Sequence, residues 1–325
     1  MSRLGKTVGA RSVLLLLLIT VLLRFGFDFG FYALFGEAAL LQPEIYYAVI
    51  MLKGVLVFGL PVLLFIYLLR PRYTPVLRAK LNYPPFSAAV RVVFAGIVGT
   101  FMLEMYSSLW GLLLEWIGIP LWAQNVLLPN NGAQILLAVT ALAIFPAVLE
   151  ELMFRGVLLE GLRREMSFKW ALWLTALLFA FMHGSLGGLP THLALGFMIT
   201  LLAVRQNNLQ LPMLYHFVHN AVSLIMSLYF RNLWENIEFS AQATQELQSQ
   251  GLAAAVMSML SMAVLLTYIY WRILRPLLAK ENLPDGDAHA HAAPMTYRGR
   301  VMTAALVGAL LLLLLPWYVL NALPA

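Results

Sequence analysis

Nine apolar runs recur along the chain, at 12–35, 45–69, 88–114, 133–162, 168–183, 190–204, 211–230, 251–273 and 301–321. About twenty apolar residues span the ~30 Å hydrocarbon core of a bilayer as a helix, and a helix satisfies its own backbone there. The pattern therefore predicts an all-α fold, a polytopic transmembrane helical bundle of about eight or nine spans, of which 168–183 and 190–204 are short. Composition agrees: 62% of the 325 residues are apolar and 11% charged, which excludes a soluble globular domain. The chain has no cysteine, so disulfides, thiolate metal sites and a cysteine nucleophile are excluded.

The loops separate by charge. Arg70, Arg72, Arg78 and Lys80 follow the second run, Arg163, Arg164 and Lys169 the fourth, and Arg205 the sixth; Arg272, Arg275, Lys280, Arg298 and Arg300 surround the loop after the eighth. The opposite loops hold Arg231 against Glu37, Glu44, Glu115, Glu235, Glu238 and Glu246. The positive-inside rule then predicts a cytoplasmic N-terminus and, with nine spans, an external C-terminus. The net charge of +6 is read as topological, and nucleic acid is not expected as a partner. Arg3, Lys6 and Arg11 precede the first run as in a signal peptide, but no small-residue cleavage site follows, so an uncleaved span is expected. Arg24 and Asp28, four apart, are expected to pair within it.

Three regions follow from this reading: N-terminal helices over 1–132 with no readable role, a core over 133–230 that carries the polar motifs, and C-terminal helices over 231–325 with a cytoplasmic linker at 274–299. His289 and His291 in that linker are expected to be solvated rather than metal-binding. No internal repeat is apparent, which argues against a repeat-built transporter.

Inside the fourth run stands F-P-A-V-L-E-E-L-M-F-R-G, with Glu150, Glu151 and Arg155 at a depth where each charge costs at least ~2.5–3.5 kcal/mol. On a helix Glu151 and Arg155 share a face and can pair, whereas Glu150 lies about 100° round and can be aimed at a cavity. The fifth run ends in Phe179-x-x-x-His183, and the seventh begins with His216 and Asn220 on one helical face, with His219 beside them. Glu150 lies fourteen residues before Arg164 and His183 fifteen after Phe168, about 21 and 22 Å along their helices. An antiparallel hairpin of the fourth and fifth spans thus brings both to one level. His216, about five residues into its run, reads as shallower by roughly 10 Å unless Arg205–Gln210 dips into the membrane. His192, and also His219, read as packing histidines, and Asn220 alone would be an interhelical hydrogen-bonding residue.

A carboxylate beside an imidazole can polarise water, while a second imidazole and an amide can donate to a developing oxyanion. That is sufficient for amide hydrolysis without serine or cysteine. Zinc on His and Glu ligands is chemically possible although no H-E-x-x-H is present; the expectation is no cofactor. Two readings from other classes stand beside hydrolysis: a membrane scaffold or immunity factor that binds a peptide without cutting it, and a proton-coupled transporter.

Glu150-Glu151-x-x-x-Arg155, then Phe179-x-x-x-His183, then His216-x-x-x-Asn220, in that order on successive membrane spans, resembles the CPBP family of intramembrane proteases, which includes type II CAAX prenyl endopeptidases and Abi proteins. The resemblance covers 133–230. It implies a glutamate-type endopeptidase in which Glu150 and His183 activate water, His216 and Asn220 form the oxyanion hole, and Glu151, Arg155 and Phe179 support the site or orient the substrate. The implied partners are a membrane-associated protein or peptide and the lipid bilayer, and the location read for the chain is a bacterial inner (plasma) membrane.

Overall fold

The computed structural model describes residues 9–68, 80–119, 126–236, 251–279 and 297–320. His289 and His291 lie outside these residues. No strand occurs among them, and nine helices coincide with the nine apolar runs: α1 Ala10–Phe35, α2 Pro43–Leu68, α3 Phe86–Trp116, α4 Gly132–Arg163, α5 Phe168–His183, α6 Leu189–Gln206, α7 Gln210–Asn236, α8 Leu252–Leu278 and α9 Tyr297–Leu320. Six of them (α1, α2, α3, α4, α7 and α8) are long and apolar enough to cross a membrane, while α5 and part of α9 are shorter apolar helices. The chain is a multi-pass helical membrane protein. Its outward side chains, such as Phe29, Leu64, Phe86 and Trp170, are exposed and apolar, as lipid contact requires.

Helix boundaries follow from local chemistry. α4 starts at a side-chain cap: Asn131 Oδ1 accepts from the Gln134 N–H at 2.9 Å, and Gln134 Oε1 accepts from the N–H of Asn130, just before the cap, at 2.8 Å. Gln134 Nε2 then donates to Glu44 at 2.7 Å, tying the start of α4 to α2. α5 ends at Gly184, which takes a left-handed φ of 65° and turns the chain sharply after His183. α6 and α5 form a close antiparallel pair, α3 packs on α7 and α8, and α9 lies against α1. On the side where α4 ends, Lys80 pairs with the buried Glu160, which Arg163 also approaches, and the Lys80 carbonyl accepts from the Leu209 N–H at 2.8 Å.

That last link corrects the expected depth of the seventh span. Residues 160 and 209 are both tied to Lys80, hence level. From there Glu151 is nine residues and His216 seven residues inward, about 13 and 10 Å. α7 starts about one helical turn inward of the end of α4, so His216 reaches the depth of the glutamates.

Candidate active site

The two glutamates sit in an irregular part of α4. Phe145–Glu151 is α-helical, but Val139–Ile144 before it and Leu152–Leu158 after it are π-helical, a wider winding that often accompanies functional sites. Pro146 has no N–H to offer the Leu142 carbonyl one turn back. Asn220 Nδ2 donates to that carbonyl at 3.0 Å, which docks α7 onto α4.

Two polar centres result. In the first, Arg155 is fully buried and makes three hydrogen bonds: Nη1 to Glu151 Oε1 at 2.9 Å, Nη2 to the Gly196 carbonyl at 3.0 Å and Nε to Thr200 Oγ1 at 3.0 Å. Its guanidinium lies 4.4 Å from the centroid of Phe179, a cation–π contact. His216 Nδ1 also reaches Glu151 Oε1, at 3.0 Å. With Nδ1–H given to the carboxylate, Nε2 is the ring nitrogen left for other chemistry.

In the second, His183 Nδ1 donates to the Phe179 carbonyl at 2.8 Å, which sets the neutral tautomer with its lone pair on Nε2. That nitrogen is 3.8 Å from Glu150 Oε2, a buried oxygen with no hydrogen-bond partner among the described residues. Two acceptors thus face one another across a gap that a water donating to both would bridge. Glu150 and His183 line a cavity of about 240 Å³ bounded also by α1 and α2. Phe179 joins the two centres: its ring is 4.7 Å from His183, 5.8 Å from His216 and 5.2 Å from Phe154, centroid to centroid.

The residues singled out in the sequence therefore converge. Glu150 meets His183, Glu151 meets Arg155 and His216, Phe179 packs between them, and Asn220 lies on the α4 side of α7. His219 points elsewhere: its Nδ1 is 3.0 Å from Thr100 Oγ1, whose own hydrogen goes to the Gly96 carbonyl. Among the described residues no three His, Asp or Glu side chains are arranged to hold a metal ion.

Three placements add to the expectation. His192, read as packing, lies parallel on His183 with centroids 3.9 Å apart and Nδ1 buried without a partner. Asp28 is bridged by Lys53 of α2, at 2.5 and 2.7 Å. Arg24 itself donates to the carbonyl of Met182, beside His183. The signal missed was on α6, where His192, Gly196 and Thr200 recur every four residues and form one stripe against the site.

Gly196 is the tightest point of that stripe. A Cβ there would stand 2.9 Å from the Phe179 ring and 3.2 Å from the Ala176 carbonyl, and backbone cannot yield as a side chain can. Gly196→Ala should push α6 off α5, stretch the Arg155 bond, and cost about 1–3 kcal/mol. Thermal unfolding in detergent checks this, with an unchanged melting temperature counting against it.

Residues 132–222 match the family model for Rce1-like proteins, type II CAAX prenyl endopeptidase Rce1-like. At the family level the match points to a membrane-embedded protease acting on membrane-associated proteins. No curated protein and no solved structure matches the chain.

Proposed function

From the type II CAAX prenyl endopeptidase Rce1-like character of residues 132–222, we propose that the chain is a glutamate-type intramembrane endopeptidase that hydrolyses a peptide bond of a membrane-associated protein or peptide. The observation that carries the reading is the facing pair of acceptors, Glu150 Oε2 and His183 Nε2, on one cavity.

A water held between them donates one hydrogen to each. Glu150 takes the proton as the water oxygen attacks the carbonyl carbon, and the carbonyl π electrons move onto oxygen. His183 accepts the second hydrogen bond and aims the water. The oxyanion is met by His216 through Nε2, the ring being anchored on Glu151 through Nδ1, and by the second amide hydrogen of Asn220, the first being held by the Leu142 carbonyl. When the intermediate collapses, the C–N bond breaks and the amine leaves with the proton from Glu150. The products are a carboxylic acid and an amine, and the carboxylate of Glu150 is restored. The proposal includes independence from metal and residence in a bacterial inner membrane.

The test is cleavage of a membrane-peptide library by purified protein with excess chelator, beside His183→Ala. Chelator-resistant cutting that His183→Ala loses is expected. Cutting that stops with chelator and returns with zinc would replace the mechanism, and a protein that binds the peptides without ever cutting them would favour a scaffold.

His192 provides a second check. Its ring covers one face of His183, so His192→Ala should let the imidazole turn and reduce kcat by about 10- to 100-fold with little change in KM. His192→Phe keeps the stack and should restore most of that loss. Equal kcat values for the two variants would deny the ring a positioning role.

A further inference from the structure

The cavity that holds Glu150 and His183 has a second polar wall, which the hydrolytic chemistry does not use. Arg24 of α1 and Lys53 of α2 both line it, and between the two walls the lining is mainly apolar, as with Phe58 and Leu149. Both cations come from helices that precede the matched segment 132–222. Two cations at this depth are expensive, and such groups ordinarily mark a functional path or ligand.

A purely structural role accounts for part of this arrangement. Lys53 is bridged to Asp28, and Arg24 donates to the Met182 carbonyl. The placement is nevertheless asymmetric, because Lys53 and Arg24 line the cavity while Asp28 does not. Both cationic residues therefore border the space a substrate would enter, while the acid that holds Lys53 lies outside its lining and Glu150 is the acid within it. The apolar lining suits the side chains of an extended peptide, and the Arg24 contact with the residue before His183 couples this wall to the water-activating pair.

Resting on the endopeptidase reading, we propose that Arg24 and Lys53 form a subsite for a carboxylate of the peptide substrate, held while its scissile carbonyl faces Glu150. A carboxylate is the anion peptides carry, from either the chain terminus or an Asp or Glu side chain. In a desolvated cavity its charge-assisted bonds to a guanidinium and an ammonium discriminate strongly against a neutral amide. This gives the N-terminal helices a role in selecting substrate, separate from the chemistry on α4, α5 and α7.

The test measures binding and so does not depend on turnover. Full-length Glu150→Gln protein in lipid nanodiscs is titrated with a short fluorescein-labelled apolar peptide in three forms: free acid, C-terminal amide, and amide with one internal aspartate. The free acid is expected to bind about 10- to 100-fold more tightly than the plain amide. Recovery of affinity by the internal aspartate would identify a side-chain carboxylate as sufficient; no recovery would assign the subsite to the chain terminus. Lys53→Met should lose the preference and Lys53→Arg keep it, while Lys53→Met with Asp28→Asn guards against a misfolded single variant by removing both members of the pair. Equal affinity for acid and amide, including no binding of either, overturns the subsite, as does a preference that survives in the double variant. If wild-type protein cuts acid and amide alike, the endopeptidase reading stands and the subsite fails. A preference without cutting by the wild type leaves the subsite and removes the endopeptidase.

Discussion

Glu150→Gln should lower kcat by about 10²–10⁴-fold, the range a positioned general base contributes, while leaving KM and the folded structure close to those of the parent. The substitution conserves shape and removes the proton acceptor. Its structural cost is small because Glu150 Oε2 has no hydrogen-bond partner among the described residues and the side chain, 15% exposed, lines a cavity rather than a packed seam. A glutamine amide can even donate toward His183 Nε2, replacing two facing acceptors by a donor and an acceptor. The expected result is therefore an inactive protein that melts no lower than the parent. Kinetics on a cleaved peptide together with thermal unfolding in detergent measure both halves. Retained turnover would move the base elsewhere, and a large drop in melting temperature would recast Glu150 as structural.

The parts of this arrangement legible in the sequence were those governed by a single helix or by distance along one. Apolar length located the nine helices, the i,i+4 rule paired Glu151 with Arg155, and counting residues from the ends of α4 and α5 put Glu150 and His183 at one level. What escaped depended on two helices meeting. His192, Gly196 and Thr200 are ordinary residues singly, and their stripe acquires meaning only once α6 lies on α5, with the Gly196 carbonyl and Thr200 hydroxyl on Arg155. Lys53 reaches Asp28 from the next helix, a contact that no spacing along one helix announces. The depth of His216 was misjudged because the calculation assumed that all helices start at one plane. The π-helical turns of α4 left one trace, Pro146, and nothing in the sequence said that Asn220 would meet the carbonyl to which that proline offers no N–H.

Arg155 should behave in the opposite way to Glu150. It is fully buried, and its guanidinium serves three acceptors on two helices at once, Glu151 on α4 and both Gly196 and Thr200 on α6. Arg155→Met keeps the length and removes all three bonds, leaving the fully buried Glu151 with His216 as its remaining partner. Removing one member of a buried pair costs about 3–5 kcal/mol, mostly because the other charge is stranded. Arg155→Lys should recover little, since a single ammonium cannot present the planar fork that reaches a carboxylate, a carbonyl and a hydroxyl in different directions. Glu151→Gln combined with Arg155→Met should be more stable than Arg155→Met alone, because neutralising the stranded carboxylate removes the larger part of the penalty. Equilibrium unfolding of the four proteins in mixed detergent forms a double-mutant cycle that reads this coupling. A cycle that sums without coupling would mean that Glu151 and Arg155 contribute independently and that Arg155 acts mainly through its cation–π contact with Phe179. Coupling of the expected sign would make the pair the fixed frame of the site, holding His216 through Glu151 and Phe179 through Arg155, while Glu150 remains the one acid of the two left open to the cavity.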